Sequence, residues 1–192
     1  MISEMKTLLR KQISEEIIAL PDDYIAESNR GLFLRVVSLE VFNAARNIMM
    51  YYSVKREPAT LEIAEAVLSM GKTVAFPHCY RGGIMQARVV SSLNELYPAM
   101  LGIPAPPDTA PVISREALDL ILVPALAYDS QGQRLGYGGG DYDRYLSGIP
   151  AFTLGLARER LMKDKLPAEP HDIAVQCIVT EECAFCPTVP MK

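Results

Sequence analysis

One stretch of the chain concentrates residues that are suited to binding phosphate. Residues 134–144 read Arg-Leu-Gly-Tyr-Gly-Gly-Gly-Asp-Tyr-Asp-Arg, so four glycines stand beside two carboxylates and two arginines. The stretch follows an apolar run at residues 120–123, which predicts a buried strand, and it leads into a segment from Tyr142 that can start a helix. Glycines between a strand and a helix let backbone N–H groups surround a phosphate. The stretch therefore favours a nucleotide site, with a ligand-free glycine turn as the alternative.

No standard nucleotide fingerprint accounts for these glycines. Gly136, Gly138 and Gly140 alternate with other positions and lack the third spacing of G-x-G-x-x-G. Residues 71–73, Gly-Lys-Thr, resemble the end of a P-loop, but Ala66 stands where the first glycine is required. This segment also lies after a predicted helix and before a predicted strand, the reverse of P-loop order. We interpret Gly71 as a helix C-cap.

Two basic residues near the start of the chain share one helix face. Apolar residues recur at helical spacing over residues 3–20, and Lys6 and Arg10 lie four residues apart on that predicted helix. Like charges at this spacing destabilise a helix slightly. An anion between the two side chains would explain the pair, and a solvated basic face is the alternative.

The four cysteines are too sparse for a disulfide scaffold in 192 residues, so we expect them to be reduced. Cys183 and Cys186 have the spacing of a zinc or redox pair. However, a structural zinc site needs four ligands, only Cys177 and His171 lie nearby, and the chain has no second C-x-x-C pair. We expect residues 183–192 to form a C-terminal tail instead.

Composition and charge exclude several classes of function. Apolar residues make up 49% of the chain and charged residues 22%, which is ordinary for one globular domain over residues 1–192. The net charge of −4 argues against a general nucleic-acid surface. No apolar run is long enough to span a membrane, and the first residues lack the apolar core of a signal peptide. We expect a cytoplasmic protein with no nucleic-acid or membrane partner.

The predicted elements alternate between helices and strands. Helices are predicted from Asp22 or Asp23 as N-cap to the late thirties and over residues 60–70 with Thr60 as N-cap. Strands are predicted at residues 48–52, 73–76, 85–90, 120–123, 152–155 and 174–179. This order predicts a single-domain α/β fold, a three-layer α/β/α sandwich with a largely parallel sheet. Ligands bind at the carboxyl ends of the strands in such folds.

A proline-rich loop at residues 98–111 is too long for a simple connection in a compact domain. We expect it to serve a site, with a disordered surface loop as the alternative.

Taken as a whole, residues 123–144 closely resemble the signature of the 5-formyltetrahydrofolate cyclo-ligase family. Counterparts of Lys6-x-x-x-Arg10, of Ile103-Pro-x-Pro106, of residues 52–57 followed by Thr60, and of His171-Asp172 also occur in that family, so the resemblance covers nearly the whole chain. It implies ATP- and magnesium-dependent cyclisation of 5-formyltetrahydrofolate to 5,10-methenyltetrahydrofolate. ADP and phosphate are released after phosphorylation of the formyl oxygen. The expected partners are these two small molecules, and the expected assembly is a monomer.

The resemblance also implies roles for individual residues. Arg134 is the implied catalytic residue, because its charge would compensate the charge that develops during phosphoryl transfer. The implied ATP-binding residues are Lys6, Arg10, Arg134, Leu135, Gly136, Tyr137, Gly138, Gly139, Gly140, Asp141 and Tyr142. The implied folate-binding residues are Tyr52, Glu57, Tyr137, Gly138, Gly139, Gly140 and Asp141. Asp143 and Asp172 match the positions of the magnesium ligands, and carboxylates suit that ion.

Other interpretations of these residues stay open from the sequence. Taken singly, Asp143 also fits a first-turn helix acid, and Asp172 fits an ion pair with a surface arginine. Asp141 stands where the family usually has an aromatic residue, and its charge would lie near phosphates. A divergent homologue that binds ATP or folate without turnover is therefore the alternative function. A sugar-phosphate isomerase or acyl-CoA transferase related only by fold is a further one.

Overall fold

The structure is a computed structural model that describes residues 2–186. Its α-helices are α1 (Ile2–Ala19), α2 (Asp22–Ser38), α3 (Glu40–Ala44), α4 (Leu61–Ser69) and α5 (Asp141–Leu146). Its first six strands are β1 (Asn47–Met49), β2 (Thr73–Tyr80), β3 (Ile84–Val90), β4 (Tyr97–Pro98), β5 (Pro104–Ala105) and β6 (Val112–Ile113). The others are β7 (Leu120–Val123), β8 (Ala127–Tyr128), β9 (Arg134–Leu135), β10 (Phe152–Leu156), β11 (Cys177–Val179) and β12 (Ala184–Phe185).

An eight-stranded sheet in the order β12-β11-β10-β7-β1-β2-β3-β6 forms the centre of the protein. The inner strands from β11 to β2 pair in parallel, whereas β3, β6 and β12 pair antiparallel at the two edges. The succession β1, α4, β2 is the predicted parallel βαβ unit. The predicted α/β class with a largely parallel sheet is confirmed.

Side chains of the inner strands alternate between two apolar layers, as the period of a strand requires. Ile48 and Leu122 lie in the layer that contains buried residues of α2, α3 and α4. Met49 and Ile121 lie in the opposite layer with Tyr145 of α5. The helix of this second layer, α5, is short and has six residues. Helix α1 packs on the β8–β9 hairpin, where Ile13 shares an apolar cluster with Ala127 and Leu135.

The helix starts differ in detail from the sequence prediction. Neither Asp22 nor Asp23 is the N-cap of α2, because Pro21 holds that position and both aspartates lie in the first turn. Thr60 precedes α4 as predicted but makes no capping hydrogen bond. Its hydroxyl donates to the carbonyl oxygen of Tyr51 at 2.7 Å and accepts from the backbone N–H of Ser53. The threonine therefore joins the helix to the loop that follows β1.

A hairpin that the sequence did not predict separates the buried strand β7 from the glycine stretch. Strands β8 and β9 pair antiparallel around a turn in which Asp129 Oδ1 accepts from the N–H groups of Gln131 and Gln133. Such a local Asx turn competes with continued strand structure. The glycine stretch thus follows β9 rather than β7.

The first residues of the predicted C-terminal tail, residues 183–192, include an edge strand. Ala184 and Phe185 pair with β11 as an edge strand after a turn at Thr180, whose N–H donates to the carbonyl oxygen of Cys183 at 2.8 Å. Residues 187–192 lie outside the described part of the chain. No helix between residues 2 and 186 combines the length and apolarity needed to cross a membrane.

Candidate active site

One cavity of about 1050 Å³ lies at the carboxyl end of the parallel strands. Its walls come from α1, from the segments that follow β1, β7 and β10, and from the glycine stretch. Every residue that the sequence assigned to ATP, folate or magnesium lines it. The volume is at the upper end of the roughly 300–1,000 Å³ typical of a site for one small ligand. The cavity can therefore hold at least one large small-molecule ligand.

The glycine stretch lies against Arg10 of α1. The guanidinium Nε of Arg10 donates to the carbonyl oxygen of Gly136 at 2.8 Å. Gly138 has φ of 103°, a conformation that L-residues rarely adopt, and a Cβ there would lie 3.4 Å from Cζ of Arg10. The second glycine of the stretch is thus favoured by its backbone conformation, whereas a Cβ would make only an ordinary van der Waals contact with Arg10.

Helix α5 begins immediately after Gly140, which is left-handed with φ of 66°. The helix has only six residues, so its dipole can contribute little to binding an anion. A phosphate bound here would therefore depend chiefly on the basic side chains around the stretch.

Asp141 has a cationic partner that offsets its charge. Its Oδ1 accepts from the guanidinium of Arg144 at 2.5 Å, and the same nitrogen donates to the carbonyl oxygen of Gly139 at 2.9 Å. The extra negative charge expected from this carboxylate near phosphates is therefore largely compensated.

Lys6 is nearly buried and lies between two carboxylates. Its Nζ donates to Asp172 Oδ2 at 2.5 Å and to Glu169 Oε2 at 2.9 Å. Burial alone would lower the pKa of Lys6, but the bonds to Asp172 and Glu169 outweigh it and the pKa is raised above its ordinary value. Burial acts to raise the pKa of Asp172, but the Lys6 ammonium and the N–H of Glu169 lower it overall. Both groups are held in their charged forms.

Arg134 forms a second ion pair beside the first. Its guanidinium donates to Asp143 Oδ1 at 2.5 Å, and the same oxygen accepts from the backbone N–H of Ile173 at 3.1 Å. This contact places the start of α5 against the residue that follows Asp172. The two aspartates that the sequence assigned to magnesium thus lie on adjoining segments of one wall.

The donor set of this wall suits magnesium. Glu169, His171 and Asp172 offer ligand atoms that all lie within 4.8 Å of one another, and Asp143 adjoins them through Ile173. Carboxylate oxygens next to a phosphate site are the ligands that Mg²⁺ uses. Lys6 is paired with Asp172, and Arg134 is paired with Asp143. If a metal ion bound to these carboxylates, the lysine and the arginine would become free to contact phosphates. The residues present therefore fit the ion.

Two of the predicted folate residues, Tyr52 and Glu57, line the same cavity from the segment that follows β1. Glu57 Oε2 accepts from the backbone N–H of Val54 at 2.8 Å, and its Oε1 accepts from the hydroxyl of Tyr137. Burial and the Glu57 carboxylate together raise the pKa of Tyr137 well above its ordinary value. Tyr52 contributes a ring 6.4 Å from that of Phe76. Tyr137 thus connects the glycine stretch with the turn that carries Glu57.

Two of the predicted ATP residues present little polar side chain to a ligand. Leu135 is buried in the small apolar cluster around Ile13, so only its backbone is polar. The hydroxyl of Tyr142 is buried without a hydrogen-bond partner among residues 2–186, and burial raises its pKa well above the ordinary value.

Sequence reasoning missed several residues of the cavity. Glu169 gave no separate signal, although its position three residues before Asp172 places both beside Lys6. Arg158 follows β10 and lines the cavity as one of the largest fully buried side chains. The proline-rich loop does reach the site, because residues 99–105 line the cavity, and it is ordered by the β4–β5 pair.

Comparisons with known proteins agree with this geometry. The 5-formyltetrahydrofolate cyclo-ligase family profile matches residues 2–181. The 5-formyltetrahydrofolate cyclo-ligase of Mycolicibacterium smegmatis is 31% identical over 157 residues, which cover 71% of this chain and 74% of the relative. The Escherichia coli K12 protein of the same name is 29% identical and covers 84% of this chain and 92% of the relative. The solution structure of Aquifex aeolicus 5,10-methenyltetrahydrofolate synthetase superposes with a TM-score of 0.87 at 26% identity, covering 98% of this chain and 95% of that one. The chain therefore belongs to the 5-formyltetrahydrofolate cyclo-ligase family.

Proposed function

We propose that this protein is a 5-formyltetrahydrofolate cyclo-ligase that uses ATP and Mg²⁺ to form 5,10-methenyltetrahydrofolate, ADP and phosphate. The observation that carries the proposal is the convergence, in one cavity, of a basic glycine stretch, a carboxylate wall and the Glu57 turn. Family membership sets aside an isomerase or transferase related only by fold. The pairing of Asp141 with Arg144 removes the main reason for expecting a homologue without turnover.

The reaction needs activation of a poor leaving group. The formyl oxygen of the substrate attacks the γ-phosphorus of ATP, and ADP leaves with the electrons of the broken P–O bond. Nitrogen 10 of the folate then attacks the formyl carbon to close the ring. The oxygen departs with the phosphoryl group as phosphate, and nitrogen 10 loses its proton. Phosphoryl transfer of this kind depends on positioning and charge neutralisation more than on a covalent nucleophile.

The residues of the cavity can fill these roles. In this proposal, Lys6 and Arg10 bind the triphosphate from the α1 side, and Arg134 stabilises the transferring phosphoryl group. Asp143 and Asp172, with Glu169 beside them, would hold a magnesium ion that neutralises phosphate charge when it is bound. Glu57 offers an acceptor to the N–H donors of the pterin ring, and Tyr137 lies between the two substrates.

The test is the appearance of methenyltetrahydrofolate absorbance in reactions that contain purified protein, MgATP and 5-formyltetrahydrofolate. Omission of ATP or of Mg²⁺ abolishes product formation, and ADP and phosphate appear in equal amounts with the product. The Lys11→Met variant is the matched control, because Lys11 is an exposed lysine of α1 outside the main cavity. Retained binding of ATP or folate without any product would overturn the proposal in favour of a non-catalytic binding protein.

A further inference from the structure

Arg158 has an unusual environment for an arginine. It is 1% exposed, and it follows strand β10 at the carboxyl edge of the sheet, where it contributes to the cavity wall. Its hydrogen bonds within residues 2–186 all go to backbone carbonyl oxygens, and its Nε has no partner. Burial lowers the pKa of Arg158, with Glu181 acting against this from beyond ion-pair distance. Arginine nevertheless stays protonated, so the protein keeps a buried positive charge here without a carboxylate in direct contact.

Such a charge is costly unless its contacts do something that an apolar side chain cannot do. The carbonyl acceptors of Arg158 show what that is. Its NH2 donates to the carbonyl oxygens of Arg56 at 3.3 Å and Glu57 at 3.2 Å, and NH1 reaches the carbonyl oxygen of Ile25 at 3.5 Å. Two of these three acceptors belong to the turn that carries the predicted folate contact.

That turn needs support from outside itself. Lys55 has φ of 54°, an unfavourable conformation for a side chain of its size. The outer side of the turn is held by Arg56, whose Nε donates to the carbonyl oxygen of Ile17 at 3.0 Å and whose NH1 contacts Asp22 at 2.8 Å. Arg158 is the support on the buried side, because its NH2 contacts both successive carbonyls while its NH1 reaches the carbonyl oxygen of Ile25. A lysine has no second nitrogen with which to make both sets of contacts.

We propose that Arg158 is a positioning residue that sets the affinity for the folate substrate by fixing the backbone of Arg56 and Glu57. The Glu57 carboxylate is then already aimed into the cavity before the pterin arrives, so binding does not have to order the turn. Arg158 acts through Glu57, because its hydrogen bonds go to the backbone of that turn and to Ile25. This role rests on the proposed function, because it assumes that Glu57 contacts the folate.

The experiment compares steady-state constants of Arg158→Met and Arg158→Lys with those of the wild type. We expect Arg158→Met to raise KM for 5-formyltetrahydrofolate by about tenfold or more while KM for ATP changes less than twofold. Arg158→Lys should raise the folate KM by about threefold or more. If Arg158→Met does not fold, Arg158→Lys decides alone. Equal rises in both KM values, or no rise in the folate KM, would overturn the proposal.

A control and a double variant separate positioning from general stability. Arg35→Met is the control, since Arg35 also donates to a backbone carbonyl, that of Glu181 at 3.1 Å, but lies outside the cavity. It should lower Tm and leave both KM values unchanged. In a Glu57→Gln background, Arg158→Lys should have little further effect on folate affinity, whereas a full independent loss contradicts action through Glu57. If the wild type binds no substrate and forms no product, the proposed function is refuted. If the wild type is active and the Arg158 variants have an unchanged KM for folate, only the role of Arg158 is refuted.

Discussion

Replacing Lys6 by methionine removes one ammonium group from the cavity and keeps most of its apolar stem. In the wild type this ammonium donates to Asp172 and Glu169, whose side chains are 13% and 29% exposed. A hydrogen bond to a charged group contributes about 1.5–3 kcal/mol. Water can partly solvate the two carboxylates after the change, so we expect a loss near the lower end, about 2 kcal/mol in the free energy of unfolding. For a chain of this size that corresponds to a fall in Tm of about 4–8 °C.

The same substitution should weaken the binding of ATP more than it weakens the binding of folate. The variant would lack the charge-assisted contact of Lys6 with a phosphate. In the wild type, however, Lys6 must break its contacts with two carboxylates before it can make that contact. The net loss in the binding free energy of ATP is therefore smaller than the free energy of the phosphate contact itself. We expect about a tenfold rise in KM for ATP, or about 1.4 kcal/mol. The folate KM should change less than threefold because Lys6 makes no contact with the Glu57 turn.

The assay measures both KM values and a thermal melt for Lys6→Met beside Lys11→Met. The control should match the wild type in all three measurements, since Lys11 is an exposed residue of the same helix. An unchanged KM for ATP in Lys6→Met, with the expected loss of stability, would show that Lys6 is structural and that its assignment to the triphosphate is wrong. A rise of equal size in both KM values would point to general damage of the cavity.

Three further predictions concern pH, the glycine stretch and Asp141. The stability difference between the wild type and Lys6→Met should depend on pH. The pKa of Asp172 is lowered from 3.8 and that of Lys6 is raised from 10.5, so the ion pair stabilises the fold between these values. Denaturant titrations should show the difference shrinking as the pH falls below about 4, as Asp172 is protonated, and again as it rises through the raised pKa of Lys6. Gly140→Ala should lower the free energy of unfolding by about 1–2 kcal/mol, because Gly140 is left-handed. The control Gly148→Ala should lower it by a similar amount, because Gly148 has φ of 70°. Only Gly140→Ala should also raise KM for ATP, because Gly140 lies in the cavity wall and Gly148 does not. Asp141→Asn should change kcat/KM by less than about fivefold, since the exposed pair with Arg144 contributes about 0–1 kcal/mol. A loss of a hundredfold would contradict that reasoning.

The parts of the fold that follow from local pattern were accessible from the sequence. The apolar run of β7 matched its predicted residues because four successive buried side chains leave few alternatives in an α/β protein. The β8–β9 hairpin was missed because its strands have two residues each, too few for a period to be visible. The edge strand β12 was missed for the same reason.

The site divides in the same way. Lys6, Arg10 and the glycine stretch could be identified because charge and glycine spacing are unusual on a helix and in a turn. Arg158 could not be identified, because an arginine after a strand is common in protein sequences. Its proposed role depends on contacts with carbonyl groups about a hundred residues away along the chain. Glu169 likewise became a candidate ligand only when α1 brought Lys6 to it.

The charges of the cavity explain why the cations and carboxylates of this site occur together. In the structure, Lys6 pairs with Asp172 and Glu169, and Arg134 pairs with Asp143, so partly buried charges compensate one another. A triphosphate alone would draw the cations away and leave the carboxylates unpaired beside a polyanion, which is costly in a partly desolvated site. A metal ion alone would leave the cations unpaired in the same way. When both arrive, each carboxylate can exchange its cation for the metal and each cation can exchange its carboxylate for a phosphate. In the proposed reaction this pairing would favour binding of the nucleotide and the metal as one unit, and in the free protein the ion pairs already compensate these charges.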